Sequence, residues 1–327
     1  MKTVSFGVIG TNFVSDWFCE AVGKTEGAAL GAVYSRTAEK GGEFAKKHGI
    51  PAVYTDLEAF FSSPIDAVYI ASPNFLHVPQ ALTALEHGKH VLAEKPAALT
   101  EEDFVRLAEE AKKRGLVYME AMRPAHDPAL GVIREAVAKI GTVRRAVFDF
   151  CQYSSRYDRF RSGEVLNAFR PELGNAALMD IGVYALHCCV TLFGAPQKVL
   201  SSSVLLANGF EGMGDALLVY DGMQAEVSWS KITESVTPSF IIGEDGAVLI
   251  GKLSTLESAS LKMRGGEETV LFSDRSEQES NMVHEVRDFA AAVRGEYDVS
   301  RQNENTRATL AVMDKIRCES GIVFPVQ

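Results

Sequence analysis

The sequence predicts two domains of different class: an α/β domain built on a doubly wound parallel sheet over residues 1–120, and an α+β domain with a large, mostly antiparallel open sheet over residues 121–327. Three observations predict it. Across the first 120 residues, short apolar runs alternate with helical stretches, the pattern of βαβ units. From about residue 142, strand candidates follow one another with few helices between them, and Asp221-Gly222 and Asp245-Gly246 suit tight hairpins. The length of 327 residues also exceeds the roughly 250–300 at which single cores stop growing.

Composition narrows the partners. The chain is 46% hydrophobic and 23% charged, with a net charge of −10, which argues against nucleic acid or an anionic membrane as partner. No apolar run approaches the roughly 20 residues of a membrane span. Cys19, Cys151, Cys188, Cys189 and Cys318 show no C-x-x-C spacing and read as reduced thiols, with neither a disulfide framework nor a zinc site; no metal is expected. The first strand begins by about Thr3 without a basic segment and apolar run ahead of it, so no signal peptide is expected and the cytoplasm is the expected compartment.

In the first domain, Val4–Ile9 reads as a strand, Gly10-Thr11-Asn12-Phe13-Val14-Ser15 as a turn, and the following stretch to Val22 as a helix. Such a helix presents N–H groups and a partial positive charge to a pyrophosphate, although an ordinary strand–helix turn has the same pattern. Gly10 fills the first glycine position of a dinucleotide fingerprint, while Asn12 and Ser15 stand at the second and third. The next strand, Ala28 to Tyr34, ends in Ser35-Arg36-Thr37. An acid there would accept the ribose 2′-hydroxyl of NAD, whereas a hydroxyl plus an arginine suits the 2′-phosphate of NADP. NADP is therefore expected, with NAD as the alternative, and with Lys40 as a helper; the competing reading of Arg36 is a surface arginine.

The buried run Asp66 to Ala71 ends in Ser72-Pro73-Asn74-Phe75-Leu76-His77, where Asn74 or the backbone faces the nicotinamide half, and His77 starts a helix rather than catalysing. His90-Val91-Leu92-Ala93-Glu94-Lys95-Pro96 then runs an apolar strand into a lysine held at the carboxyl edge, because proline takes the chain out of the sheet. A lysine there must reach water, pair with an acid, or work. Thr100-Glu101-Glu102-Asp103 is a capping box for the next helix.

Asp66 to Asn74 with His77, followed by Gly88-Lys89-His90-Val91-Leu92-Ala93-Glu94-Lys95-Pro96, resembles the Gfo/Idh/MocA oxidoreductase family. The resemblance implies a functional lysine at Lys95 beside the nicotinamide and a cis bond between Lys95 and Pro96. Together with the turns read above, the expected cofactor set is Gly10, Thr11, Asn12, Phe13, Ser35, Arg36, Ser72, Pro73, Asn74, His77, Glu94 and Lys95.

In the second domain, the dense stretch is Arg170 to His187. On a regular helix Asp180, Tyr184 and His187 fall at i, i+4 and i+7 and share a face. An acid, a phenol and an imidazole so aligned deprotonate a hydroxyl, or serve as cap, core aromatic and core polar group. Asp180-Ile181-Gly182-Val183-Tyr184, with Pro171-Glu172-Leu173-Gly174 upstream, is similar to the form found in dimeric dihydrodiol dehydrogenases and NADP-linked sugar dehydrogenases of the family; Asn175 departs from its usual glycine. Inositol dehydrogenases carry histidine at the Tyr184 position, which counts against that substrate. The resemblance implies hydride transfer between a nicotinamide and a CH–OH carbon of a sugar, polyol or cyclic diol, with Lys95 and Tyr184 as acid–base pair and Asp180 orienting substrate hydroxyls or Lys95; Asp180 or His187 is the alternative proton carrier. The opposing reading is a dinucleotide or sugar sensor that regulates a protein partner. An open sheet face with Val227 and Trp229 suggests a homo-dimer or higher oligomer. The last helix, about Glu304 to Ser320, is expected to pack back on the first domain, and the loop Ser154 to Gly163, with Arg156, Tyr157, Arg159 and Phe160, to shape the pocket.

Overall fold

A computed structural model describes residues 2–273 and 282–325, which divide into two compact units, 2–126 with 282–304 and 127–273 with 305–325. In the first unit, alternating apolar strands and amphipathic helices give β1 (Val4–Ile9), α1 (Phe13–Lys24), β2 (Ala28–Tyr34), α2 (Ala38–His48), β3 (Ala52–Tyr54), α3 (Leu57–Phe61), β4 (Ala67–Ile70), α4 (His77–Glu86), β5 (His90–Glu94), α5 (Glu101–Lys113) and β6 (Tyr118–Ala121). All pairings are parallel, in the order β3-β2-β1-β4-β5-β6. The order reverses between β1 and β4, and such a switch point opens a crevice at the carboxyl ends of the strands. Helix α5 starts as its sequence dictates: Thr100 Oγ1 accepts the Asp103 amide at 3.1 Å.

The core of this unit stacks Phe18 on Tyr69, ring centroids 3.7 Å apart, with Phe6 edge-on to Phe18. A late helix, Met282–Val293, completes it by placing Met282, Val286, Phe289 and Ala290 in the same cluster. The helix Ser300–Ser320 contributes its first residues to this unit and the rest to the second.

The second unit holds β7 (Val143–Cys151), β8 (Lys198–Leu205), β9 (Glu211–Tyr220), β10 (Met223–Ser230), β11 (Ser239–Gly243), β12 (Gly246–Ile250), β13 (Ala259–Met263) and β14 (Glu268–Phe272) in the order β14-β13-β12-β11-β7-β10-β9-β8. Neighbours run antiparallel except β7 and β10. Asp221-Gly222 forms the expected two-residue turn, with Gly222 at φ 72°. The β11–β12 turn is Glu244-Asp245, one residue earlier than its dipeptide implied, because Gly246 already pairs with Met263.

Two readings of this unit are corrected. Val227 and Trp229 are fully buried rather than on an open face. They alternate on β10 with the exposed or half-buried Gln224, Glu226 and Ser228, so the open face carries the polar set, including an Arg145–Glu226 ion pair of 2.8 Å. The stretch around Asp180 is also not a regular helix: Leu178–Gly182 makes a π turn before the helix Val183–Phe193 begins, which breaks the simple i, i+4, i+7 register. Among the described residues, no helix is long and apolar enough to cross a membrane, and no group of three or more His, Cys, Asp and Glu is placed to hold a metal.

Candidate active site

The carboxyl edge of the parallel sheet gathers every candidate residue of the first unit. Gly10 leaves β1 at φ 107°, and a Cβ there would stand 2.6 Å from the Ala71 carbonyl oxygen and 3.5 Å from Ser15 Oγ, so only glycine fits this close approach. Asn12 does two things at once. Its Oδ1 accepts the Val14 and Ser15 amides at 2.9 and 3.2 Å as the cap of α1, and its Nδ2 donates to Ala71 O at 3.0 Å. Asn12 thus ties the turn after β1 to the turn after β4, a role its place in the fingerprint did not reveal. Ser15 is fully buried, which explains the need for a small residue, and its Oγ has no hydrogen-bond partner among the described residues. Thr11 is half-buried and Phe13 is 53% exposed, edge-on to Trp17. Ser35 is buried at the end of β2, and Arg36 and Lys40 are exposed beside it with no carboxylate at Ser35 or Thr37.

The turns after β4 and β5 are locked together by His77. Its Nδ1 lies 2.8 Å from Pro96 O and its Nε2 2.9 Å from Ser72 O, with the residue 1% exposed. Burial, the larger influence, holds this imidazole below its usual pKa against the pull of the two carbonyls. His77 therefore shapes the site through two backbone turns. Ser72 donates to Gln80 Oε1 at 2.7 Å, Pro73 is exposed, and Asn74 opens the short 3₁₀ turn that leads into α4.

Around Lys95 the main chain is fixed from several sides. Glu94 accepts a short hydrogen bond from the Tyr69 hydroxyl and, through Oε2, the Lys95 amide at 3.2 Å. Ala97 donates its amide to Glu120 at 2.9 Å and accepts from the Tyr118 hydroxyl at 3.0 Å. The Lys95–Pro96 bond is cis, as the resemblance implied. Behind this turn Glu285 is fully buried, and neither of its carboxyl oxygens has a hydrogen-bond partner among the described residues. Burial first, then the field of Glu94, hold its carboxyl well above the usual range. It lies in a helix 190 residues beyond Lys95, beyond the reach of local pattern.

In the second unit the π turn presents Asp180. Lys231, just past the end of β10, reaches Asp180 Oδ2 at 2.6 Å, with the lysine side chain 5% and the aspartate 46% exposed. The ammonium also lies over the rings of Phe169 and Phe210, 5.4 and 5.8 Å from their centroids. Glu211 fastens the turn by accepting the Leu178 amide at 2.8 Å and Trp229 Nε1 at 2.7 Å. Burial raises this carboxyl to about 7. Trp229 sits between two glycines: an added Cβ would come to 2.8 Å of its ring at Gly182 and 2.5 Å at Gly214. This is the physical reason for glycine at the centre of Asp180-x-Gly182. Tyr184 is 9% exposed and edge-on to Phe150, and His187 is 2% exposed with Nδ1 3.2 Å from Thr191 Oγ1. In the loop Ser154–Gly163, Tyr157 and Phe160 stack on Phe169 beneath Lys231, so the loop buttresses the Asp180 turn.

Sequence reasoning missed Lys231, Glu211 and Glu285. One signal was present for the first: Lys231, like Lys95, stands just past the end of a strand.

Residues 4–122 match the model of the oxidoreductase family with an NAD-binding Rossmann fold, and residues 132–249 match its C-terminal domain, both designated GFO/IDH/MocA. The chain is 42% identical over 326 residues to the scyllo-inositol 2-dehydrogenase (NADP(+)) IolU of Bacillus subtilis (strain 168), spanning 98% of each chain. It is 36% identical to the uncharacterized oxidoreductase YgjR of Escherichia coli (strain K12), again over 98% of both. The solved structure of KijD10, a 3-ketoreductase from Actinomadura kijaniata in complex with NADP and TDP-benzene, has the same fold, with a TM-score of 0.86, 22% identity and 98% coverage of both chains. Motifs, fold and relatives converge: the chain belongs to the Gfo/Idh/MocA family of oxidoreductases.

Proposed function

We propose that the protein is an NADP-dependent dehydrogenase that transfers a hydride between the nicotinamide and a CH–OH carbon of a sugar or polyol, with a cyclic polyol as the leading substrate class. The observation that carries this reading is the 42% identity, end to end, with an NADP-linked scyllo-inositol 2-dehydrogenase. With such a relative, tyrosine rather than histidine at position 184 no longer weighs against an inositol. The absence of an acid after β2, with Arg36 exposed beside Ser35, supports NADP over NAD. The cradle at Gly10, closed by Asn12 and lined by the buried Ser15 hydroxyl, fits a pyrophosphate at the start of α1.

When bound, the cofactor supplies the hydride acceptor at its C4 carbon. The chain supplies position and proton transfer. Lys95, its backbone anchored by Glu94, His77, Glu120 and Tyr118 around the turn, hydrogen-bonds the reacting oxygen and offsets alkoxide charge. Tyr184 takes the hydroxyl proton. Asp180, oriented by Lys231, receives neighbouring substrate hydroxyls. Glu94, with its carboxylate engaged by Tyr69 and the Lys95 amide, holds Lys95 toward the cofactor. The working form in this reading is a cytoplasmic homo-dimer that pairs through the open sheet face, where Leu200, Val204 and Ile242 are exposed beside the polar set.

The test follows absorbance of the reduced nicotinamide while scyllo-inositol, other inositols, aldoses and dihydrodiols are offered with NADP or NAD. Turnover with NADP that Lys95→Met lowers by orders of magnitude, with cofactor affinity retained, is the expected result. Wild-type turnover in Lys95→Met removes its role, and cofactor binding without turnover across the panel points to a sensor.

A further inference from the structure

We propose that Lys231 is a positioning residue of the reaction: it holds Asp180 in one orientation and with its charge available for the substrate's hydroxyls. The inference rests on the role given to Asp180 above.

The pair is built asymmetrically. Lys231 is enclosed, with a 5% exposed side chain, while Asp180 is 46% exposed. An enclosed ammonium carries a large desolvation cost, and a chain retains one where the charge is matched. Here it is matched by Asp180 Oδ2 at 2.6 Å, by Ala168 O at 3.4 Å and by two aromatic faces. A half-exposed aspartate on its own turns about its side-chain bonds and exchanges partners with water. With Oδ2 committed to an enclosed cation, Asp180 is fixed in direction.

The same strand end builds both halves of the device. Trp229, two residues before Lys231, packs against Gly182 and donates to Glu211, which in turn accepts the Leu178 amide of the π turn. Backbone turn and cation are thus set by one segment of β10 and its exit, so the Asp180 carboxylate meets Lys231 in a single register. Lys231 acts through Asp180 rather than on the substrate.

The experiment is a double-mutant cycle of Lys231→Met and Asp180→Asn, read as kcat and KM for scyllo-inositol with NADP, together with NADP affinity and thermal midpoint. Lys231→Met is expected to lower kcat about 10- to 100-fold, the scale of a misplaced positioning group, with NADP affinity unchanged. The same substitution in the Asp180→Asn background is expected to cost nothing further. A fully active Lys231→Met enzyme beside an inactive Asp180→Asn enzyme overturns the proposal, as does an equal loss in both backgrounds, which marks a merely structural lysine. A fully active Asp180→Asn enzyme overturns instead the role of Asp180 and, with it, this inference. If Asp180→Asn does not fold, Lys231→Met alone decides: kcat falling while midpoint and NADP affinity hold supports the proposal, and unaltered kcat overturns it.

Discussion

Trp229 lies so close to Gly182 that a Cβ added to the glycine would stand 2.8 Å from the indole Cγ and 3.0 Å from Cδ2. The indole is fully buried and its nitrogen is bonded to Glu211, so it has little room to yield. Gly182→Ala is expected to destabilise the fold by about 1–3 kcal/mol, the usual cost of overpacking a tight core. It should also lower kcat, since the shifted turn carries Asp180. Denaturant titration beside steady-state kinetics checks both, and an alanine variant with unchanged midpoint and rate rejects the close-packing account.

The Lys231–Asp180 pair predicts an unequal response to truncation. Removing Asp180 takes the nearest carboxylate from an enclosed ammonium, whereas removing Lys231 takes one partner from a half-exposed carboxylate, so the first loss is the larger. Asp180→Ala should therefore unfold at clearly lower denaturant than Lys231→Met. Equal midpoints would mean that the lysine is not desolvated in solution.

Glu285 predicts a sign for the pH dependence of stability. Burial first, then Glu94, push its carboxyl well above 4.5, with Arg123 opposing and Glu120 and Asp288 adding to the rise. For an acid raised in the folded state, the unfolded chain ionises first, so this contribution is intact below about pH 4.5 and is lost as pH climbs toward the folded-state value. Glu285→Gln keeps the neutral form at every pH. It should match the wild type near pH 4.5 and exceed it at pH 8. Unfolding free energies across that range check the prediction, and parallel curves for the two proteins refute it.

Cofactor discrimination at the end of β2 is the fourth expectation. Arg36→Ala should weaken NADP by about 10-fold or more, the cost of a charge-assisted contact to phosphate, and leave NAD nearly unaffected. Affinities measured for both nucleotides decide it, because equal losses mean that Arg36 does not meet the 2′-phosphate.

Much of the first unit was legible because its signals are local. A buried parallel strand is a short apolar run, and the residues just past its end lie at the carboxyl edge of the sheet; Gly10, Ser35, Ser72 and Lys95 all follow that rule. The second unit was legible in class, since successive strands with tight turns make an antiparallel sheet. Which side of that sheet is covered was not, and Val227 and Trp229 show why. Alternation along a strand defines two faces without saying which one a helix will cover, and these two residues lie on the covered face.

The sequence by itself therefore determined the fold class and which residues stand at the carboxyl edge of the parallel sheet, because each rests on spacing within a few residues. Only the tertiary structure decided the partners: Lys231 with Asp180 across 51 positions, Glu211 with Leu178 across 33, and His77 with Pro96 across 19. Such pairings depend on which strands and turns the topology brings side by side. The energy of a buried charge or amide depends on the group that arrives opposite it, and a linear pattern does not carry that information.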